Sequence, residues 1–280
     1  MQRTTATRLL SCPLFVAGWV TALVLASLPD AAAESGKNSF GLFLDRVEVF
    51  APIDRSKVAQ TCGVDRLCAA RRIVETLGPP AQLEAVVHPD TDSIRRATSQ
   101  PSIGRFQSIG PGVYILRMDR FGRKLNDEIL FNIRSINSLS HLIIDLRGNR
   151  GGAFDRMRRA AALFTGPIAA ALETTHRGTT RKFDIPPPKR RLTVPRLSVL
   201  IGPRTASSAE ILAALLRQHA NAVLLGTRSF GKDYLYRIIP VTSDWRLLLP
   251  AERISVPGQT IADGVIPDGP VPVDMAHRIE

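Results

Sequence analysis

The sequence predicts an α/β fold, a mixed or parallel sheet with helices packed against it. Short apolar runs alternate with amphipathic helical segments, in the strand–loop–helix–strand rhythm of βαβ units. The runs "HLIID", "LSVLIG" and "AVLLG" are apolar almost throughout. That is the pattern of strands covered on both faces. Between them, "LNDEILFNIRSIN" (125–137) places apolar residues at 125, 129, 130, 133 and 136, which is helical spacing.

The elements follow in chain order. Residues 56–78, "SKVAQTCGVDRLCAARRIVETLG", read as helical, opening at a cap-like Ser56 and closing on Gly78-Pro79-Pro80. Residues 81–110 read as short polar pieces. "GVYILRMDRF" (112–121) is a strand, 141–149 a strand running into a loop, and "AFDRMRRAAALFTG" (153–166) a helix with a glycine stop. Residues 177–196, basic and rich in proline, read as an exposed connection. "SSAEILAALLRQH" (207–219) is a further helix, and "YRIIPV" and "WRLLLPA" are further strands.

The chain begins with Arg3 and Arg8, an apolar stretch over residues 9–28, and the small residues Ala31 and Ala33. This reads as an export signal cleaved after Ala33, with an uncleaved anchor as the alternative. The expectation is a periplasmic or secreted protein with residues 1–33 as signal peptide. Residues 34–110 would form an N-terminal helical cap and connecting segment, and residues 111–280 the core. Of the 3 cysteines, Cys62 and Cys68 lie beyond the signal. Export makes a Cys62–Cys68 disulfide the expectation, provided Gly63 breaks the helix between them; two free buried thiols are the alternative. The net charge is +12. It favours contact with anionic polymers or lipid headgroups, or is simply a solvated basic surface. No basic motif interleaved with aromatics points to nucleic acid. No cluster has zinc spacing, and no cofactor motif is present. Oligomeric state is not encoded in any pattern.

Two loops follow buried strands, where open α/β sheets place their sites. The first, "DLRGNRGG" (145–152), carries three glycines that let backbone N–H groups approach an anion. The second, "RTASSAEI" (204–211), puts Ser207 or Ser208 at a helix start. A serine there can be an N-cap, and Glu210 completes a capping box with Ser207. It can also be a nucleophile, which then needs a base. Histidine fits poorly: His219 lies 12 residues along the same helix, about 18 Å away. His141 opens its strand at the wrong end, and His88, His176 and His277 have no partner motif. Lys232, in "GTRSFGKDYLY", is left as base, if burial depresses its basicity.

"TASSAEI…GTRSFGK", with 25 residues from Ser207 to Lys232, resembles the carboxyl-terminal processing, or tail-specific, proteases of family S41. "LIIDLRGNRGG" and "GQTIADGVIPD" (258–268) are similar to two further blocks of that family. The resemblance covers residues 112–268. It implies a crotonase/ClpP-like ββα spiral core and an exported serine endopeptidase acting on protein or peptide substrates through a Ser-Lys dyad, without a cofactor. It implies Ser207 as nucleophile, Lys232 as general base, and an oxyanion hole from Gly151 or Gly152 and Ser208. Glu210 would support the turn, and Tyr236 stands where typical members carry the glutamine that holds the lysine. About 33 residues separate the helical region from the strand at 112, too few for the PDZ domain typical of the family. A non-proteolytic binding protein on the same fold, or a basic envelope-binding protein, are the alternative functions.

Overall fold

The computed structural model describes residues 36–78, 80–85 and 100–279. The expected signal peptide lies outside the described residues. Three helices come first: α1 (Gly36–Glu48), α2 (Arg55–Cys62) and α3 (Arg66–Leu77). Then follow β1 (Gln82–Ala85), β2 (Ile103–Gly110), β3 (Val113–Met118), α4 (Leu125–Arg134), β4 (His141–Asp145) and α5 (Phe154–Thr165). β5 (Ile168–His176), β6 (Thr179–Ile185), β7 (Leu197–Ile201), α6 (Ser208–Ala220) and β8 (Val223–Gly226) come next. The chain continues through β9 (Tyr234–Pro240), β10 (Trp245–Ser255) and α7 (Val273–Ile279).

One sheet has the order β2-β3-β4-β7-β8. β2 and β3 form an antiparallel hairpin, while β3, β4, β7 and β8 run parallel. β7 is buried along its whole length, as its apolar run "LSVLI" requires. Helices α4, α5 and α6 cover one face, burying Leu125, Ile129, Met157, Leu163, Leu212 and Leu216 against Leu142, Ile144 and Val199. Each such side chain contributes about 1.5–3 kcal/mol on burial. The opposite face, Ile115, Ile143 and Leu200, packs under Ile279 of α7. Because the four parallel strands share a direction, the loops after β4, β7 and β8 gather at one edge.

The second sheet is antiparallel around β10, which pairs β9 on one side and β1 and β5 on the other, with β6 beyond β5. Its apolar side meets the first three helices through Phe43, Val47, Ala70, Ile73, Leu247 and Leu249. Asp54 and Asp65 cap α2 and α3 by accepting N–H bonds from Lys57, Leu67 and Cys68. Cys62 and Cys68 are joined by a disulfide with Cα atoms 5.5 Å apart. The break between α2 and α3 at Gly63 and Val64 brings them together, where a continuous helix would hold them about 9 Å apart.

Three expectations change. Residues 81–110 contain β1 and β2, so this stretch is sheet as well as connection. The boundary expected between residues 110 and 111 falls inside the β2–β3 hairpin, whose register joins Gly110 to Val113. Residues 179–185, expected in an exposed connection, form edge strand β6. Six of its seven residues are exposed or half-buried. Pairing to β5, not burial, orders it, so it lacks the apolar signal of a core strand.

The Glu252 carboxylate on β10 joins this edge strand to the sheet centre. Burial pushes its pKa up, but the hydrogen bonds and charge of Arg181 prevail and hold it below the ordinary value. A depressed folded-state pKa gives stability that is present above the ordinary carboxylate range and lost as pH falls through the folded value. Glu252→Gln is expected to destabilise the chain by about 1 kcal/mol at pH 7, discounted for the exposed arginine. In urea titrations at several pH values, the gap to wild type should close as pH falls below 4.5, the usual glutamate value. A pH-independent gap would show that the charge pair is not its source.

Candidate active site

The loop after β4 is fixed from within. The buried Asp145 carboxylate accepts from Arg147 N–H (3.0 Å), Nε (3.0 Å) and Nη2 (2.9 Å). Asn149 is fully buried. Its Nδ2 donates to the Met118 carbonyl (3.0 Å), while its Oδ1 accepts the Gly151 N–H (2.9 Å). Its own carbonyl accepts the Ala206 N–H (3.1 Å). One asparagine thus ties the end of β3, the glycine loop and the turn before α6.

The loop after β7 is stitched to the first. Thr205, also fully buried, donates its hydroxyl to the Leu146 carbonyl (2.8 Å) and accepts the Gly202 N–H (3.0 Å). Ser207 follows at φ 56°, ψ −124°, as the N-cap of α6. A non-glycine residue at positive φ is strained by about 1–3 kcal/mol and persists only when its surroundings over-determine it. Gly151 (φ 95°) lies against this turn: a Cβ there would stand 2.7 Å from the Ala206 carbonyl and 2.9 Å from Ser207 Cβ. Only glycine allows the two loops this approach.

The third segment comes from the loop after β8, and Glu210 holds it. The fully buried Glu210 side chain accepts from Ser207 N–H (2.7 Å) and Lys232 N–H (2.8 Å) on Oε2. On Oε1 it accepts from Ser229 Oγ (2.5 Å) and Gly231 N–H (2.6 Å). Four neutral donors satisfy a buried acid without a cation. Sharing one oxygen limits the Ser207 and Lys232 backbone nitrogens to at most 5.5 Å apart, the sum of 2.7 and 2.8 Å. A lysine side chain is long enough to cross that gap. The lysine loop is backed by residues 263–265. A Cβ on Gly231 would meet Gly264 N at 2.6 Å, and Ser229 Oγ accepts the Val265 N–H (2.7 Å).

The structure therefore brings the backbones of Ser207, Gly151 and Lys232 together around Glu210, while no hydrogen bond joins Lys232 Nζ to Ser207 Oγ. Ser208 is committed elsewhere: buried, it donates its hydroxyl to the Gly152 carbonyl (2.9 Å). Tyr236 meets Lys232 through its ring, not through its hydroxyl, with Nζ 4.5 Å from the ring centroid. Burial raises the Tyr236 pKa, and Tyr234, Asp233 and Glu84 add to the effect. Next to the lysine, burial also raises the Asp233 pKa, against the pull of the Arg253 guanidinium 3.4 Å away.

Of the histidines, His141 pairs with Ser198 at the starting end of β4 (2.9 Å), and burial followed by Arg196 lowers its pKa. His176 meets the Ala251 carbonyl, and His88 lies outside the described residues. None of the described histidines hydrogen-bonds to Ser207. Among the described residues no group of three His, Cys, Asp or Glu side chains could hold a metal ion. No helix among them is long and apolar enough to cross a membrane. Sequence reasoning did not single out Asn149, Thr205 or Ser229. All three stand inside the motif blocks, and their polar side chains in otherwise turn-forming stretches were the available signal.

A family model described as peptidase family S41 matches residues 112–271. The chain is 25% identical over 169 residues to the chloroplastic carboxyl-terminal-processing peptidase 2 of Arabidopsis thaliana, covering 59% of this chain and 33% of that protein. It is 30% identical over 158 residues to a carboxy-terminal-processing protease of Bartonella bacilliformis, covering 54% and 36%. The aligned region thus spans about a third of each of these relatives. Among solved structures, a lipoprotein from Streptococcus agalactiae superposes with a TM-score of 0.64 at 18% identity, covering 89% of this chain and 97% of that one. The photosystem II D1 C-terminal processing protease superposes at 0.51 and 19% identity, covering 69% and 48%. These likenesses show a shared mixed α/β fold. With the family model matching more than half of its length and the motif loops assembled at one sheet edge, this chain belongs to peptidase family S41.

Proposed function

We propose that this chain is an exported serine endopeptidase that hydrolyses peptide bonds with Ser207 as nucleophile and Lys232 as general base. The observation that carries the reading is the Glu210 carboxylate, which binds the backbone N–H groups of Ser207 and Lys232 on one oxygen. A purely structural N-cap serine needs no such tie to a lysine 25 positions on.

In the reaction, the Lys232 amine takes the Ser207 hydroxyl proton as Oγ bonds to the scissile carbonyl carbon. The carbonyl π pair moves to oxygen. Backbone N–H groups of Gly152 and Ser208 hold that oxyanion. Gly151 is the weaker donor candidate, because Asn149 Oδ1 already takes its N–H. The dipole of α6 adds positive potential at the same spot. Collapse expels the amine, which takes the proton from the Lys232 ammonium. Water, deprotonated by the same lysine, then attacks the acyl carbon, and Ser207 Oγ departs with the proton that the Lys232 ammonium returns. No cofactor is needed. The substrate is a protein or peptide, the core is of the crotonase/ClpP-like spiral type, and the site of action is the periplasm or the exterior. The Cys62–Cys68 disulfide fits an oxidising compartment.

Casein hydrolysis by the purified full chain across pH 6–10 tests this. Ser207→Ala and Lys232→Ala are each expected to lower the rate by about 10³-fold or more. Ser208→Ala should retain a nucleophile while losing about 1–2 kcal/mol of stability with its Gly152 bond. Undiminished cleavage by Ser207→Ala would sink the proposal.

Gly151→Ala tests the loop approach separately. The added Cβ cannot fit between the Ala206 carbonyl and Ser207, so activity should drop by about 10²-fold from displacement on the order of 1 Å. The fall should exceed any fall in thermal midpoint expected from strain of about 1–3 kcal/mol. Full activity in Gly151→Ala would mean that this approach does not set the site.

A further inference from the structure

We infer that the edge of the first sheet opposite the candidate active site is a docking surface for anionic lipid bilayers. The topology collects its cations. β3, β4, β7 and β8 run parallel, so the segments entering them share one edge, while the candidate active site lies on the other. Arg134 closes α4 just before β4, and Lys189, Arg190, Arg191 and Arg196 lie in the segment leading into β7. The entry segments are in contact. The Leu192 N–H donates to the Leu163 carbonyl near the end of α5, and the Leu142 N–H of β4 donates to the Arg196 carbonyl. Arg278 joins them, its Nη1 donating to the Ile109 carbonyl beside the β2–β3 turn (3.3 Å).

All six of these side chains are exposed. Among the described residues none of them forms a salt bridge, whereas Arg158 and Arg159 of α5 pair with Asp155 and Arg181 of β6 with Glu252. Three acids lie near these cations, Asp184, Asp268 and, on the helix of Arg278, the exposed Asp274. Asp184 accepts the Ala170 N–H (2.8 Å), and Asp268 accepts the Leu224 N–H (2.8 Å) and pairs with Arg217 (3.6 Å). Four neighbouring strands span about 15 Å at about 4.8 Å each. Cations spread over that width, about two Debye lengths of about 8 Å, each add their attraction to a charged surface.

A bilayer is favoured over a soluble polyanion by Phe131. It is 74% exposed and lies three residues before Arg134 in the last turn of α4. Residues at i and i+3 share one helix face. An exposed ring beside a guanidinium suits the boundary between headgroups and acyl chains. A polyanion gives that ring nothing to enter. Docked this way, the chain would turn the Ser207 edge away from the membrane.

Vesicle co-sedimentation of the full chain tests the surface. The apolar residues 9–28 and the neighbouring Arg3 and Arg8 are common to wild type and variants, so the readout is how the preference for phosphatidylglycerol-containing over pure phosphatidylcholine vesicles changes between them. Wild type should prefer the anionic vesicles by tenfold or more at low salt. The triple variant Lys189→Glu, Arg190→Glu, Arg191→Glu should lose that preference while keeping peptide hydrolysis and thermal midpoint, since these residues are remote from Ser207. Phe131→Ser should weaken binding to anionic vesicles severalfold but leave retention on a heparin column unchanged. No anionic preference in wild type, or a preference that survives the triple charge reversal, would overturn the inference. Heparin retention without vesicle binding would overturn it in favour of a soluble polyanion.

Discussion

The site depends on one buried carboxylate. Glu210 sits in the first turn of α6 with no exposure to water, where an unpaired acid would be costly. It is made tolerable by four donors, three of them backbone or hydroxyl groups of the loop 229–232 and the fourth the N–H of Ser207. The requirement runs in both directions. The acid needs the donors, and the loop carrying Lys232 has its conformation set by what the acid will accept. Two segments more than twenty residues apart in sequence are thereby held in one register.

The remaining contacts serve that junction. Ser207 occupies a left-handed conformation that an ordinary helix start would not choose. It is held there from both sides, by Glu210 within its own helix and by Asn149, whose carbonyl binds the Ala206 N–H. Thr205 fixes the preceding turn to the end of β4. Behind the lysine, Gly231 and Gly264 bring two backbones into direct contact. This is why the block near residue 264 belongs to the same site as the block near residue 207, although it contributes no reacting group. The Tyr236 ring supplies a different kind of support, an aromatic face against the amine in place of an amide oxygen.

The α/β character was legible because β4 and β7 are buried on both faces and read as unbroken apolar runs. The loops at their ends were legible from glycine and hydroxyl residues at strand ends, and their pairing from the spacing of the motif blocks. What escaped was structure made by pairing and not by burial. β6 shows charged and hydroxyl residues to solvent, and β1 is four residues of partly exposed chain pairing with β10 more than 160 residues away. No local pattern announces such partners. The helices at the start, expected as a cap preceding the core, share their own core with Leu247 and Leu249 of β10, a contact visible only once the chain has folded back. Asn149 escaped for a related reason: its hydrogen bonds tie its own loop to the end of β3 and to the turn before α6, and one residue in a glycine-rich loop gives no hint of that.

The most direct test of this account is a crystal structure of the full chain treated with a peptidyl boronate, which mimics the tetrahedral intermediate. The account predicts boron bonded to Ser207 Oγ and one boronate oxygen facing the N–H groups of Gly152 and Ser208. Lys232 Nζ should lie within about 3.2 Å of Oγ, with Glu210 still bridging the two segments. A boronate bonded elsewhere, or Nζ held more than about 8 Å from Ser207 Oγ in the bound state, would contradict it.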